Sequence, residues 1–211
     1  MLDDLDKELA RRGLRFCRYA DDCNIYLRSR RAGERVMASI SWFLTVKLKL
    51  KVNETKSAVA RPEERKFLGF SIANDGSERR LAPNALDKFK MRIRDMTRRT
   101  QGKSLPQVVD ELKPYLIGWR SYFGFCETPR VLTNLEAWIR RRLRMYLWRQ
   151  WQNGQNRFKE LRRRGVPKFL AAVAAGSPTR FWRMSGHPAV QMALRNHVFD
   201  SLGLPRLYLV R

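Results

Sequence analysis

The spacing of the hydrophobic residues changes near residue 81, and this change constrains the fold more than any other feature of the sequence. Before it, two short segments rich in aromatic and β-branched residues, Arg15–Tyr19 and 23–27, precede a segment with the spacing of an amphipathic helix. After it, Leu86, Phe89 and Ile93 begin a series of helical stripes in basic segments. We therefore predict an α+β fold, in which a small antiparallel sheet with a packed helix precedes an all-α region.

Turn and capping residues predict where the elements of the first region begin and end. The sequence between the two short strands is a tight turn, so they should form a hairpin. A helix that buries Val36 and Ile40 should follow, and then a strand at 48–52, where leucine and valine alternate with lysine. A further strand is expected at 67–72, with a turn at 74–77.

The second region carries the signals of separate helices. Pro83 suits the first turn of a helix, and Ser104 with Gln107 forms a possible capping box for the next, which Pro114 should interrupt. The longest helix should open at Thr128. Gly-x-Pro triplets divide the remaining sequence into short helices, and they end at Pro167, Pro178, Pro188 and Pro205.

The charge balance predicts a polyanionic partner. The 211 residues include 44 Lys and Arg but 20 Asp and Glu, which gives a formal net charge of +24. Because 44% of the residues are hydrophobic, the chain should fold, and a folded basic body favours nucleic acid over an anionic membrane. No apolar stretch approaches the ~20 residues of a membrane span. Three cysteines without metal-ligand spacing suit a reducing compartment, so we expect a cytoplasmic protein without a membrane partner.

The most informative motif is Tyr19-Ala20-Asp21-Asp22, at the tip of the expected hairpin. Two carboxylates so close together repel each other unless a divalent cation lies between them, and Mg²⁺ prefers such hard oxygen ligands. The alternative is a solvated turn, because aspartate is favoured in turns of every kind. The motif alone leaves both interpretations open.

The surrounding sequence resembles one protein family. Tyr-Ala-Asp-Asp between two strands resembles the polymerase motif of reverse transcriptases, the segment 52–57 (Val-Asn-Glu-Thr-Lys-Ser) resembles that family's next conserved block, and 67–70 (Phe-Leu-Gly-Phe) its primer-contacting strand. Downstream, the segments 116–123 and 135–143 resemble the maturase-specific region of proteins encoded by group II introns. The chain therefore resembles group II intron reverse transcriptase/maturases over nearly its whole length.

The resemblance implies RNA-directed DNA synthesis at a two-Mg²⁺ site, together with assistance in splicing the parent intron. Its partners would be the intron RNA and a duplex of RNA template and DNA primer. Asp21 and Asp22 would bind the metal as catalytic residues, and Lys56 would lie near the departing pyrophosphate. The template and primer would contact Tyr19, Ala20, Gly69, Lys88 and Arg92. Lys56 could instead be one more solvated lysine, and Gly69 a β-bulge.

A dense run of arginines in the expected long helix predicts RNA contact. Arginine offers bidentate contacts to phosphate, and the alternative for these residues is a solvated helix face. The run contains Arg140, Arg141, Arg142 and Arg144. The aromatic residues near it have helical spacing and are expected in the core, and they are Trp119, Tyr122, Trp138 and Tyr146.

The resemblance divides the chain into three parts: the C-terminal part of a palm at 1–81, a thumb with the maturase-specific helices at 82–164, and a short nucleic-acid-binding tail at 165–211. Members of the family carry fingers and another metal-binding aspartate before the hairpin. We therefore expect a truncated chain with an incomplete Mg²⁺ site, which binds RNA without polymerising unless a separate N-terminal fragment completes it. The alternatives are a non-catalytic RNA-binding splicing chaperone and a decayed gene without a stable product.

Overall fold

The computed structural model of the chain describes residues 2–73, 76 and 78–208. By its internal contacts the chain divides into two units, 1–77 and 78–211. Short antiparallel strands occur beside many helices, which confirms the predicted α+β fold. Among the described residues, no helix combines the length and the apolar character that crossing a membrane requires. The division into palm, thumb and tail stays a prediction.

The first unit is built around a hairpin with a helix on either side of it in sequence. Helix α1 spans Leu2–Arg11, strands β1 and β2 span Arg15–Tyr19 and Asp22–Tyr26, and helix α2 spans Arg30–Trp42. The two strands pair in antiparallel fashion, as predicted. Their inward residues pack with both helices around a small apolar core, which centres on Leu5, Leu9 and Ile40.

The strand predicted at 48–52 is wrong. Helix α2 continues as a π-helical turn over Phe43–Lys47, and the chain then leaves it without joining a sheet. The amide of Leu48 donates to the carbonyl of Phe43 at 3.1 Å, and the amide of Leu50 donates to that of Leu44 at 2.8 Å. These backbone donors therefore close the helix end and are not available to a strand ladder.

The single strand predicted at 67–72 is also wrong, because the chain reverses within it. Strands β3 (Lys66–Phe67) and β4 (Phe70–Ile72) pair in antiparallel fashion around a two-residue turn. The turn residues Leu68 and Gly69 have φ of 52° and 80°, and a type I′ hairpin turn requires positive φ at both positions. Of the turn predicted at 74–77, only Gly76 lies within the described residues.

The second unit opens with strand β5 (Arg79–Leu81) and is otherwise helical. Helices α3, α4 and α5 span Pro83–Met96, Leu105–Phe123 and Pro129–Gln150. The predicted starts are confirmed, and the amide of Ser104 donates to Oε1 of Gln107 at 2.8 Å in a capping box. The interruption predicted at Pro114 is wrong, since α4 runs through it. Leu112 and Leu116 on either side are fully buried, so packing holds the helix together there.

The last part of the chain consists of short helices that belong to the same unit as α5. Helices α6 to α10 span Gly154–Arg163, Lys168–Gly176, Phe181–Met184, Pro188–Ala193 and Asn196–Ser201. The Gly-x-Pro triplets lie at or beyond the ends of these helices and divide them, as predicted. Helices α8 and α9 contact α5, and the large side chains buried in this unit include Tyr146, Trp148 and Phe199.

Candidate functional site

The acidic pair lies at the tip of the β1–β2 hairpin. Tyr19 and Asp22 are paired across the strands, which leaves Ala20 and Asp21 as a two-residue loop. Ala20 has φ of 52°, as expected at the first loop position of a primed hairpin turn, where glycine is the usual residue. Both aspartates are exposed, and 65% of Tyr19 is accessible to solvent. The turn therefore presents two neighbouring carboxylates to whatever approaches the tip.

Arg18 holds this turn in place by hydrogen bonds to the turn and to helix α1. Its Nη1 donates to the carbonyl of Ala20 at 2.9 Å, and its Nε donates to Oδ1 of Asp6 in α1 at 2.6 Å. The hydrogen bond from Arg18 holds the pKa of the Asp6 carboxyl below its usual value. Asp3 is likewise engaged, 2.7 Å from Nζ of Lys7. These two carboxylates of α1 therefore take part in ion pairs, whereas those at the tip face solvent.

Asp21 and Asp22 have the chemistry that Mg²⁺ requires, but they can supply only part of its coordination. The ion binds about six oxygen ligands and commonly keeps several waters beside one or two carboxylates. Within the described ranges, no three histidine, cysteine, aspartate or glutamate residues lie together as a ligand group. Reverse transcriptases in general use Mg²⁺. Binding of the ion by Asp21 and Asp22 stays a prediction.

Lys56 and Gly69 lie in two separate turns of the first unit. The amide of Lys56 donates to the backbone and side-chain oxygens of Asn53, both at 3.2 Å, and its carbonyl accepts from Nη2 of Arg65 at 2.6 Å. Its side chain is exposed. Gly69 is the second residue of the β3–β4 turn, so its positive φ serves a tight turn and not a bulge. Their roles at pyrophosphate and primer stay predictions.

Helix α3 presents a basic face to solvent. Lys88 and Arg92 are exposed, while Phe89 and Ile93 on the other face are buried. The two cations are therefore available to a phosphate backbone, which is the contact that the sequence predicts for them. Their binding to a template–primer duplex stays a prediction.

Arg140, the first member of the arginine run, is buried in the second unit. Only 5% of it is exposed, and its guanidinium lies 3.2 Å from Oε2 of Glu136 and 2.9 Å from Oδ1 of Asp200. Burial opposes ionisation of Asp200, but the hydrogen bonds and charges of Arg140 and Arg206 outweigh it and lower the pKa of that carboxyl. Arg140 therefore joins α5 to α10 inside the fold.

The other three arginines of the run also have partners within the unit. Nε of Arg141 donates to the Ser185 hydroxyl at 3.3 Å, and Nε of Arg142 donates to the Thr97 hydroxyl at 2.7 Å. Nε of Arg144 donates to the Leu194 carbonyl at 2.8 Å. Burial, assisted by the charges of Arg94 and Arg99, lowers the pKa of Arg142 to about 10. RNA contact by the four arginines stays a prediction, but the structure gives each of them an intramolecular role that the sequence did not indicate.

The aromatic residues near the run divide between core and surface. Trp119 and Tyr146 are buried, as predicted, and Tyr146 donates to the carbonyl of Lys103 at 2.6 Å. Trp138 is half-buried, with the guanidinium of Arg142 5.5 Å from its ring centroid. The prediction of a core position is wrong for Tyr122, which is 46% exposed.

One group of arginines was missed by the sequence analysis. Arg99, Arg149 and Arg157 come from three different segments of the second unit, and all of them lie close to the ring of Phe181. No spacing in the sequence indicates this convergence, because 58 residues separate the first from the last. The excess of arginine in this region was the one available signal.

Comparison with known proteins gives two family matches. A model described as reverse transcriptase (RNA-dependent DNA polymerase) matches residues 1–72, and one described as group II intron, maturase-specific domain matches residues 86–165. No curated protein matches the chain. The first match contains the acidic hairpin and the second contains most of α3 and all of α4, α5 and α6, in the order that the motifs imply. The two matches together therefore support the assignment of this chain to the group II intron-encoded reverse transcriptase/maturases.

Proposed function

We propose that the first unit contributes Asp21 and Asp22 to a two-Mg²⁺ site for nucleotidyl transfer. The observation that supports this most directly is the exposed acidic pair on a turn fixed by Arg18, within the segment that matches reverse transcriptases. When bound, the ions activate a primer 3′-hydroxyl and stabilise the leaving pyrophosphate. The two carboxylates hold the metal, and Lys56 provides a cation for the pyrophosphate.

The second unit carries the RNA-binding function. A maturase-specific domain implies binding of group II intron RNA, and the chain's net charge of +24 suits a phosphate backbone. Lys88 and Arg92 on α3 would contact the template–primer duplex, because their side chains lie on the exposed basic face. Tyr19, Ala20 and Gly69 would lie at the primer end.

The 211-residue chain by itself binds RNA but does not extend a primer. Two observations support this: the hairpin tip offers two carboxylates, and Asp3 and Asp6 of α1 are held in ion pairs. A further carboxylate, supplied by another polypeptide segment, would complete the metal site. Addition of a polypeptide that bears one should then allow DNA synthesis.

A non-catalytic splicing chaperone is the second candidate, and the folding of the second unit favours it. In that unit, Arg142 and Arg144 of α5 donate to Thr97 and Leu194 of the same unit. RNA binding therefore needs no metal at Asp21 or Asp22. A chaperone of this kind would stabilise folded intron RNA and leave the acidic pair without function.

Splicing and primer-extension assays of the same protein separate these proposals. The chain and its Asp21→Asn variant should promote splicing of intron RNA equally well. Neither should extend a primer alone, whereas addition of a polypeptide bearing the fingers and the first palm aspartate should restore extension by the unsubstituted chain only. Extension by the chain alone would contradict the incomplete site, and no extension after addition would favour the chaperone.

A further inference from the structure

Three guanidinium groups surround the ring of Phe181 at the start of α8. The Cζ atoms of Arg99, Arg149 and Arg157 lie 5.1 Å, 5.4 Å and 5.7 Å from the ring centroid. Arg99 comes from the segment between α3 and α4, and the other two come from α5 and α6. Folding of the second unit thus brings three cations from distant segments to one side chain.

These arginines lack the anionic partners that other arginines of the chain have. Throughout the described ranges, no carboxylate oxygen lies within 4.0 Å of the guanidinium nitrogens of Arg99, Arg149 or Arg157, nor of neighbouring Arg180. Nε of Arg157 is buried and makes no hydrogen bond. Burial, together with the charge of Arg149, lowers the pKa of Arg157. The charges of Arg149 and Arg157 thus oppose each other, so a bound anion would stabilise the group.

Two arginines of the cluster, Arg99 and Arg157, line an open pocket with Phe181, and Arg149 lies against the same ring. The rest of the lining suits a nucleotide. Arg180, Thr179 and Trp182 also line the pocket. The Thr179 hydroxyl already accepts from the Ser177 hydroxyl at 2.7 Å, which leaves its own proton free to donate. Trp182 is 38% exposed, and the guanidinium of Arg141 lies 4.3 Å from its ring centroid. The pocket thus combines guanidinium forks, a hydroxyl donor and an exposed indole.

We propose that this pocket binds an unpaired nucleotide of a nucleic acid strand, with the phosphate on Arg99, Arg149 and Arg157 and the base on Trp182. Guanidinium groups bind phosphate in a bidentate manner, and aromatic side chains stack on splayed bases of single strands. An acidic peptide would also neutralise the arginines, but it has no base that could stack on the indole of Trp182. The proposal rests on the RNA-binding function proposed above and assigns it a location.

A set of charge-matched variants tests the phosphate contact. The cluster variant carries Arg99→Gln, Arg149→Gln and Arg157→Gln. The control carries Arg30→Gln, Arg98→Gln and Arg163→Gln, and so removes the same number of charges from exposed arginines that already pair with Glu34, Asp95 and Glu160. The probe is a labelled single-stranded RNA of about 12 nucleotides, a length within the range of single-strand binding sites.

The test measures how the affinity for this RNA depends on salt concentration. The slope of log Kd against log salt concentration should become shallower by about 0.7 in the cluster variant, because the cluster neutralises one phosphate and each neutralised phosphate of a single strand contributes about that much. The control should change by less than half as much. Arginine-to-lysine changes at the same three positions keep the charge and guard against misfolding; they should weaken binding with the slope retained, because lysine lacks the bidentate fork.

Trp182→Ala tests the base contact. It should weaken binding of the single strand by about 5-fold to 150-fold, the range measured for one stacked base, and leave a duplex of the same length unaffected. Single-stranded DNA in parallel shows whether the site requires the ribose hydroxyl. Equal slopes for cluster and control variants would overturn the inference while leaving RNA binding intact, and so would competition by polyglutamate without any effect of Trp182→Ala. Absence of salt-dependent RNA binding by the unsubstituted chain would instead contradict the proposed function.

Discussion

Ala20 holds a left-handed backbone conformation directly before the acidic pair. Its φ of 52° costs an alanine about 1–2 kcal/mol, because Cβ crowds the following carbonyl. The structure sustains this cost through Arg18, which donates to the carbonyl of Ala20 and is itself held by Asp6 of α1. Strained residues that the surrounding structure holds in place are common at functional sites, so this strain is consistent with the predicted role of the two carboxylates.

Replacement of Ala20 with glycine tests whether this strain is real. Ala20→Gly should raise the free energy of unfolding of the first unit by up to about 1 kcal/mol, because relief of the crowding outweighs the greater freedom of glycine in the unfolded chain. Ala60→Gly is the control, since Ala60 is exposed and has no positive φ, and it should be neutral or destabilising. Urea denaturation measures both, and equal destabilisation by the two changes would show that Ala20 is not strained.

The proposed binding of metal by Asp21 and Asp22 can be tested without any polymerase activity. Addition of Mn²⁺ to the chain should broaden the NMR signals of the β1–β2 tip, because a paramagnetic ion held by Asp21 and Asp22 relaxes nearby nuclei. Asp21→Asn with Asp22→Asn should abolish the broadening, since each amide is a weaker ligand without charge. Asp3→Asn, at a carboxylate paired with Lys7, is the matched control and should leave it in place. Equal broadening in all three proteins would contradict a site at the tip.

At the level of elements, local signals predicted the helix starts and the first hairpin, but they failed for the two later strands. Pro83, Ser104 and Pro129 mark helix starts through the chemistry of a single turn, which neighbouring residues alone determine. The pattern at 48–52 failed because alternate apolar residues also fit a chain that unwinds from a helix end. The turn at Leu68 and Gly69 was hidden because leucine rarely takes positive φ, so only one of its two residues gave a signal.

The capping box of α4 gives a prediction at this scale. Ser104→Ala removes the hydroxyl that accepts from the amide of Gln107, and it should lower the free energy of unfolding by about 1 kcal/mol. Ser121→Ala in the same helix is the control. The hydroxyl of Ser121 only bonds back to the carbonyl of Ile117 at 3.0 Å, so its loss should be neutral or slightly stabilising. Thermal melting followed by circular dichroism measures both, and equal effects would contradict a role for the cap.

For the molecule as a whole, the limit of sequence reasoning lies in the arginines. The acidic hairpin could be predicted because its four motif residues are adjacent in the sequence. The start of α5 at Pro129 could be predicted because a proline ring suits the first turn of a helix. The contact of Arg140 with Asp200 could not be predicted in this way, because 60 residues separate them and only the packing of the last helices brings them together. An arginine that binds RNA and one that joins two helices have the same local sequence; burial and partners distinguish them.

The network around Arg140 should therefore control the stability of the second unit. Glu136 accepts from Arg140 and also from the amide of Tyr208 at 2.8 Å, while Asp200 accepts from Arg140 and Arg206. Arg140→Ala leaves two partly buried carboxylates without their common cation, and removal of one partner of a buried ion pair costs about 3–5 kcal/mol. The release of the segment after α10 from α5 should accompany this loss.

Arg130→Ala, at an exposed arginine near the start of α5, provides the comparison and should change the free energy of unfolding by no more than about 0.5 kcal/mol. Urea denaturation measures both variants, and limited proteolysis should cut the segment 202–208 faster in Arg140→Ala alone. The double variant Arg140→Met with Glu136→Gln should recover part of this loss of stability. Glu136→Gln removes one of the two carboxylate charges that are left without a cation when Arg140 is replaced. If Arg140→Ala proves as mild as Arg130→Ala while its RNA affinity falls, then Arg140 contacts RNA as the sequence predicts, and its ion pairs are not what joins α5 to α10.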